Sequence, residues 1–60
     1  MNVYYIVRRG TKYLHMSPSI EVTWGAKDGA FRFYSSEAAL GIALTDDPNV
    51  DYDVVRCEGE

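Results

Sequence analysis

The most reactive side chains in this chain are those of its one cysteine, Cys57, and its one histidine, His15. A thiol and an imidazole can work as nucleophile and general base when a third group orients the histidine. These two residues come from opposite ends of the chain, and no local signature supports the pair. We interpret them as a half-buried cysteine near a strand end and a surface histidine, and we expect no catalytic residue.

Metal and disulfide chemistry is also disfavoured by these counts. One cysteine cannot form an internal disulfide, and one cysteine with one histidine cannot supply the four ligands of a structural zinc site. The acidic segment 51–55 lacks the third ligand and the glycine of a calcium-binding loop. We therefore expect no metal and no cofactor. Sixty residues leave little room for both a core and a ligand pocket, so we also expect no enzymatic activity.

Acidic residues are concentrated near the end of the sequence. The first 36 residues hold five basic and two acidic residues, net +3, whereas the last 24 hold one basic and seven acidic residues, net −6. Asp51 and Asp53 are two apart, which places them on one face of a strand at roughly 7 Å, close to the spacing of successive phosphates in nucleic acid. The acidic residues form either a solvated face that gives solubility or a surface for a basic protein groove. The partner-binding residues predicted on the second interpretation are Asp46, Asp47, Asp51, Asp53 and Glu58.

An aromatic segment supports a different interpretation. Residues 27–34, followed by an alanine-rich helix, resemble the second aromatic motif of RNA-recognition-motif domains, with 2–7 in place of the first motif. The resemblance implies base stacking on Tyr4, Phe31 and Phe33. The helix that those domains place after their first strand is replaced here by a hairpin, and the acidic end repels phosphate. Nucleic-acid binding is therefore the alternative, and nucleic acid is not the partner that we expect.

The elements that position these residues follow from the pattern of apolar residues and turns. Alternating β-branched and aromatic residues predict strands at 2–8, 12–16, 20–24, 30–34 and 50–57, and Ser35 or Ser36 caps a helix that ends near Thr45. We expect hairpins from 2–8 with 12–16 and from 20–24 with 30–34, and the first strand lies centrally. The prediction is one α+β domain over residues 1–60. It has a four- to five-stranded, mainly antiparallel sheet and one helix packed on one face, in the order β-β-β-β-α-β.

The predicted helix is apolar on every side. Leu40 and Leu44 share one face, and we expect them to pack on Phe31, Phe33 and the sheet. A single sheet covers only one side of a helix. We therefore predict that the remaining apolar positions meet a second copy of the chain, giving a homodimer. The predicted self-association residues are Ala39, Ile42 and Ala43.

The whole chain resembles a pattern common among very small phage and prophage proteins. The shared features are a hairpin at 5–14, Trp24, an aromatic strand that runs into an alanine-rich helix at 30–39, and a closing strand. Tiny acidic proteins of that kind include inhibitors of host defence, anti-CRISPR proteins among them, some with DNA-mimicking acidic faces. The resemblance implies an inhibitor of a basic nucleic-acid-handling protein, such as a nuclease or CRISPR surveillance complex. The alternative is a dimeric accessory or assembly protein.

The sequence also predicts where the chain acts. Its charges follow the first apolar run, unlike those of a signal peptide, and no apolar run approaches the ~20 residues of a membrane span. A lone free thiol suits a reducing compartment. We expect the cytoplasm of a bacterial host cell.

Overall fold

The computed structural model describes residues 2–59 as an antiparallel sheet covered on one face by a helix. The strands are β1 (Asn2–Arg9), β2 (Lys12–Met16), β3 (Val22–Gly25) and β4 (Asp53–Gly59), and the helix α1 (Ser36–Asp46) lies between β3 and β4 in the chain. The strand order across the sheet is β3-β2-β1-β4. The predicted α+β fold class is confirmed. No helix in residues 2–59 is long and apolar enough to cross a membrane.

The first hairpin and the central position of β1 are confirmed. Gly10 takes a φ of +61° in the turn, a backbone conformation that glycine adopts without steric cost. β1 pairs with β2 only near this turn, at Arg8↔Tyr13 and Arg9↔Lys12. On its other side β1 pairs with β4 along its length, from Asn2↔Gly59 to Arg8↔Asp53. β4 begins later than the predicted 50–57.

Residues 30–34 do not form the predicted hairpin with 20–24. Instead the segment lies between β1 and β2 where these strands separate. Tyr5 and Phe33 exchange backbone hydrogen bonds of 2.7 and 2.8 Å, and the Phe31 N–H donates to the Leu14 carbonyl at 2.9 Å. The physical reason is that unpaired backbone groups inside a sheet are costly. The inserted segment gives the N–H and C=O of Tyr5 hydrogen-bond partners. β3 pairs with β2 and begins at Val22.

The helix begins as predicted, because the Ser35 hydroxyl accepts a hydrogen bond from the Ala38 N–H at 3.3 Å. The prediction of which side faces the sheet is wrong. Ala39 and Ala43 are 0% exposed and pack with the core residues Val7, Leu14 and Phe33, whereas Leu40 and Leu44 are 40% and 39% exposed.

Side-chain size explains this orientation. Bulky side chains from the sheet already fill the space below the helix, and only small residues let its backbone come close enough to bury them. Ala39 and Ala43 therefore offer no surface to a second copy. Ile42 is partly buried against the same core and lies near Ile20 and Val22. Self-association remains a prediction, but the large exposed apolar side chains of this helix are the two leucines.

Two substitutions on opposite sides of the helix, two residues apart, test this orientation. Ala43→Leu overpacks the core and is expected to lower the free energy of unfolding by about 1–3 kcal/mol. The control is Gly41→Ala, because a Cβ built at Gly41 meets nothing within 4 Å, and we expect a gain of about 0.5–1 kcal/mol from helix propensity. Urea unfolding followed by circular dichroism measures both. Unchanged stability in Ala43→Leu would contradict the buried position of Ala43.

Candidate functional site

A cluster of aromatic and charged residues surrounds Trp24, at the end of the sheet that carries the first hairpin turn. The indole stacks on the Tyr52 ring with centroids 5.5 Å apart and planes 9° from parallel. The Arg9 guanidinium carbon lies 5.7 Å from the Trp24 ring centroid, within cation–π range. The indole Nε1 donates to the Asp46 carboxylate at 3.1 Å. Trp24 thus joins the last residue of α1 to the sheet.

Asp47 organises the turn that follows the helix. Its carboxylate accepts from the Asn49 N–H at 3.0 Å and lies 3.9 Å from the Arg9 guanidinium, and its carbonyl accepts from the Tyr52 hydroxyl at 2.8 Å. Desolvation raises the pKa of Tyr52, and the nearby Asp47 carboxylate adds to the increase. The phenol is therefore a neutral hydrogen-bond donor at physiological pH, and it holds the turn against the sheet.

Arg8 and Asp53 form an ion pair on the opposite face of the same end of the sheet. The guanidinium donates to the carboxylate at 2.6 Å, and the hydrogen bond and charge of Asp53 raise the pKa of Arg8. The register of β1 and β4 places these residues directly opposite each other. Cross-strand pairs of opposite charge favour that register.

The predicted partner-binding residues divide into two groups. Asp46, Asp47 and Asp53 lie at this end of the sheet, Asp53 on the face opposite the other two. Exposed Asp51 precedes β4, so it does not share a strand face with Asp53 as predicted. Glu58 lies near the other end of β4, 3.4 Å from Arg56. We use the name "charged end" for the first group and its cations. It comprises Arg8, Arg9, Asp46, Asp47, Asp51 and Asp53.

The charged end carries both signs of charge, which the sequence analysis missed. Asp47 and Asp53 each lie within 4 Å of an arginine from β1. Counting charges along the chain separates a basic first part from an acidic last part, but folding brings these parts together. The signal that could have identified the pairing was the antiparallel alignment of the first and last strands, which matches Arg8 with Asp53.

Cys57 and His15 are not brought together. They lie on β4 and β2, with β1 between those strands. The His15 Nε2 lies 2.6 Å from the Ala26 carbonyl oxygen, and the Cys57 thiol donates weakly to the Val55 carbonyl at 3.8 Å. Within residues 2–59, no group of three or more histidine, cysteine or acidic side chains is placed to hold a metal ion.

The three aromatic residues of the nucleic-acid interpretation do not form one platform. Phe33 is in the core, with Phe31 packed edge-on against it at 4.8 Å between centroids. Tyr4 is one residue from Tyr5, the partner of Phe33, so it faces the other side of the sheet. Its ring is covered by the Arg32 guanidinium at 4.4 Å. Tyr4 and Arg32 border an open cleft of about 430 Å³, together with Ile6, Cys57, Glu58 and residues 27–30.

Comparison with known proteins does not assign the chain to a family. No protein-family model, curated protein or solved structure matches the chain.

A double-mutant cycle tests whether Trp24 and Asp46 couple the helix to the sheet. Trp24→Phe removes the indole donor, and Asp46→Ala removes the acceptor. We expect a coupling free energy of about 1 kcal/mol, the size of a net hydrogen bond, from urea unfolding of the four proteins. Trp24→Phe combined with Glu37→Gln, at the other end of the helix, is the control and should be additive. A coupling of zero for the first pair would show that the bond contributes nothing.

Proposed function

We propose that this chain acts by binding a protein, without chemistry of its own, and that its charged end is the binding surface. The observation that carries the proposal is that Asp46, Asp47 and Asp53 are each held in place by an internal contact, from Trp24, Asn49 and Arg8 respectively. Carboxylates that are already ordered lose less conformational freedom on binding. A preordered acidic set therefore suits a partner that presents arginine or lysine.

The arginines of the charged end shape this interaction. Exposed ion pairs contribute little to stability, so a partner's basic side chains can share or replace Arg8 and Arg9 at low cost. A surface with both signs of charge also rejects partners whose charges do not match, since like charges are then juxtaposed. Asp51 is exposed and completes the set. Its carboxylate is the natural first contact for an approaching basic surface, because long-range attraction steers encounter.

More specifically, we propose that the chain is a phage-type inhibitor. Its target would be a basic nucleic-acid-handling protein of the host, such as a nuclease or a CRISPR surveillance complex, with the carboxylates in the place of phosphates. Support comes from the size and charge distribution of the chain and its resemblance to small phage proteins. The corresponding place of action is the bacterial cytoplasm.

The second candidate is binding of single-stranded nucleic acid, which the cleft beside Tyr4 favours. Lys27 and Arg32 both border this cleft, and they supply cations next to an aromatic ring. A base would have to displace Arg32 to stack on Tyr4. Asp28 and Glu58 border the same cleft and oppose a phosphate. A gel shift with single-stranded RNA and DNA at low salt separates the candidates, since the inhibitor proposal expects no shift.

Charge reversal tests the charged end as a binding surface. The immobilised chain is exposed to the heparin-retained fraction of a bacterial lysate, which is enriched in basic nucleic-acid-handling proteins. We expect it to retain a protein that duplex DNA releases. Asp51→Lys with Asp53→Lys should weaken that retention about tenfold or more. Circular dichroism checks that this variant remains folded.

The matched control is Glu21→Lys with Glu37→Lys, which changes the net charge by the same amount away from the charged end. We expect the control to bind like the unmodified chain. Equal loss in both variants would mean that net charge alone governs binding. Retention that DNA does not displace would contradict the use of a nucleic-acid site on the partner.

A further inference from the structure

The outer edge of β4 has backbone groups that are free to pair. The N–H and C=O of Tyr5 both bond to Phe33, so they point away from β4, and Tyr5↔Arg56 is a non-hydrogen-bonded pair of the β1–β4 ladder. The backbone groups of Cys57 therefore point inward to Tyr4, whereas those of Val54, Arg56 and Glu58 point outward. Within residues 2–59 no hydrogen bond reaches these outward groups.

This edge strand lacks two of the features that protect sheet edges. β4 has seven residues and contains neither a proline nor a lysine, which are common devices that keep sheet edges from pairing. The other edge strand, β3, has only four residues. An edge of this length is a template for a further strand. The sequence of β4 itself indicates which strand fits best.

Symmetric pairing of β4 with a second β4 is antiparallel, and each possible register places one residue on the two-fold axis. With Arg56 on the axis, two guanidinium groups face each other, which is unfavourable. With Val55 on the axis, Arg56 faces Val54 of the second copy. With Cys57 on the axis, Arg56 of each copy faces Glu58 of the other. These are the two hydrogen-bonded pairs beside the axis. Only this last register combines backbone pairing with two ion pairs of opposite charge.

We propose that the chain forms a homodimer through β4, in the register that places Cys57 on the two-fold axis, so that the two sheets join into one. Glu58 then serves self-association and not the binding of a different protein. The two Cys57 residues form a non-hydrogen-bonded pair with Cα atoms about 4.5 Å apart.

The position of the helix is compatible with this dimer. Ile42, Thr45 and Asp46 line a groove with Ile20 and Val22, so this flank of α1 faces the β3 side of the sheet. At 100° per residue, Leu40 and Leu44 lie on the opposite flank, towards β4. A two-fold axis perpendicular to the sheet places both helices on the same face of the joined sheet. The leucines then flank the joined edge, displaced from the axis towards the charged end of each copy.

Charge reversal and its rescue test the register. The mass in solution at micromolar concentration, from light scattering, is expected to be twice the 6.8 kDa of one chain. Arg56→Glu and Glu58→Arg each create like-charged pairs across the axis, and each should raise the dissociation constant about tenfold or more. The double variant Arg56→Glu with Glu58→Arg exchanges the charges and should restore the dimer. Circular dichroism confirms that each variant folds.

Disulfide trapping tests the axis residue. Diamide oxidises the two Cys57 thiols to one disulfide and takes up their two hydrogens. We expect it to link the unmodified dimer, because the Cα separation lies in the range that a disulfide spans. In the control, Val55→Cys with Cys57→Ser, each new cysteine faces residue 59 of the second copy and should not cross-link.

The results also separate this proposal from that of the charged end. A monomer at high micromolar concentration, or cross-linking through position 55 instead of 57, would overturn the proposed dimer. Asp53 lies four residues from Cys57, about 13 Å along the strand, so the charged end stays exposed in the dimer. Asp51→Lys with Asp53→Lys should therefore leave the dimer intact. Loss of the dimer in that variant would contradict the register.

Discussion

The exchange of backbone hydrogen bonds between Tyr5 and Phe33 is the constraint on which most of this structure depends. It inserts the 31–33 segment between β1 and β2 and places the Phe33 side chain in the core, directly before the helix begins. The chain must then rise over the sheet from this point, which fixes where α1 starts. Because the backbone groups of Tyr5 bond to Phe33, they cannot bond to β4. This determines which residues of β1 and β4 form the hydrogen-bonded pairs. The Arg8–Asp53 pair of the charged end and the outward backbone groups of β4 both depend on this pairing of β1 with β4.

The packing of the helix follows from the same insertion. Val7, Leu14 and Phe33 fill the layer between helix and sheet, and Ala39 and Ala43 are the fully buried residues that the helix contributes to it. A helix of this composition has apolar residues in excess of what one face can bury. The leucines therefore lie at the flank, where they cover part of the sheet and remain partly in water. The helix thus places its small residues against the sheet and leaves its leucines at the margin.

Features set by local chemistry could be predicted from the sequence, and features set by long-range pairing could not. The first hairpin and the helix cap each depend on residues within a few positions, and both are as predicted, with Ser35 as the cap out of the two candidates. The helix orientation failed because a segment that is apolar on all sides has no periodic signal to orient it. The 30–34 segment alternates like a strand, but its partner is decided by the unpaired groups of Tyr5, 28 residues earlier. The carboxylates of the charged end were predicted from the sequence. Their arginine partners were not, because the pairing of Arg8 with Asp53 depends on the β1–β4 register.

The charged end and the proposed dimer edge use different parts of β4. At its start, β4 contributes Asp53 to a cluster where mixed charges are exposed and weakly paired, which suits an exchangeable contact with another protein. Near its end, β4 presents outward backbone groups and an Arg56–Glu58 pair that is complementary to itself under two-fold symmetry. If both surfaces are used, dimerisation gives two charged ends that project from opposite sides of the axis. A partner with two basic sites, or two copies of a partner, would then bind with the gain in avidity that joined sites provide. A sixty-residue chain would in this way gain both a larger sheet and a second binding surface from one exposed edge.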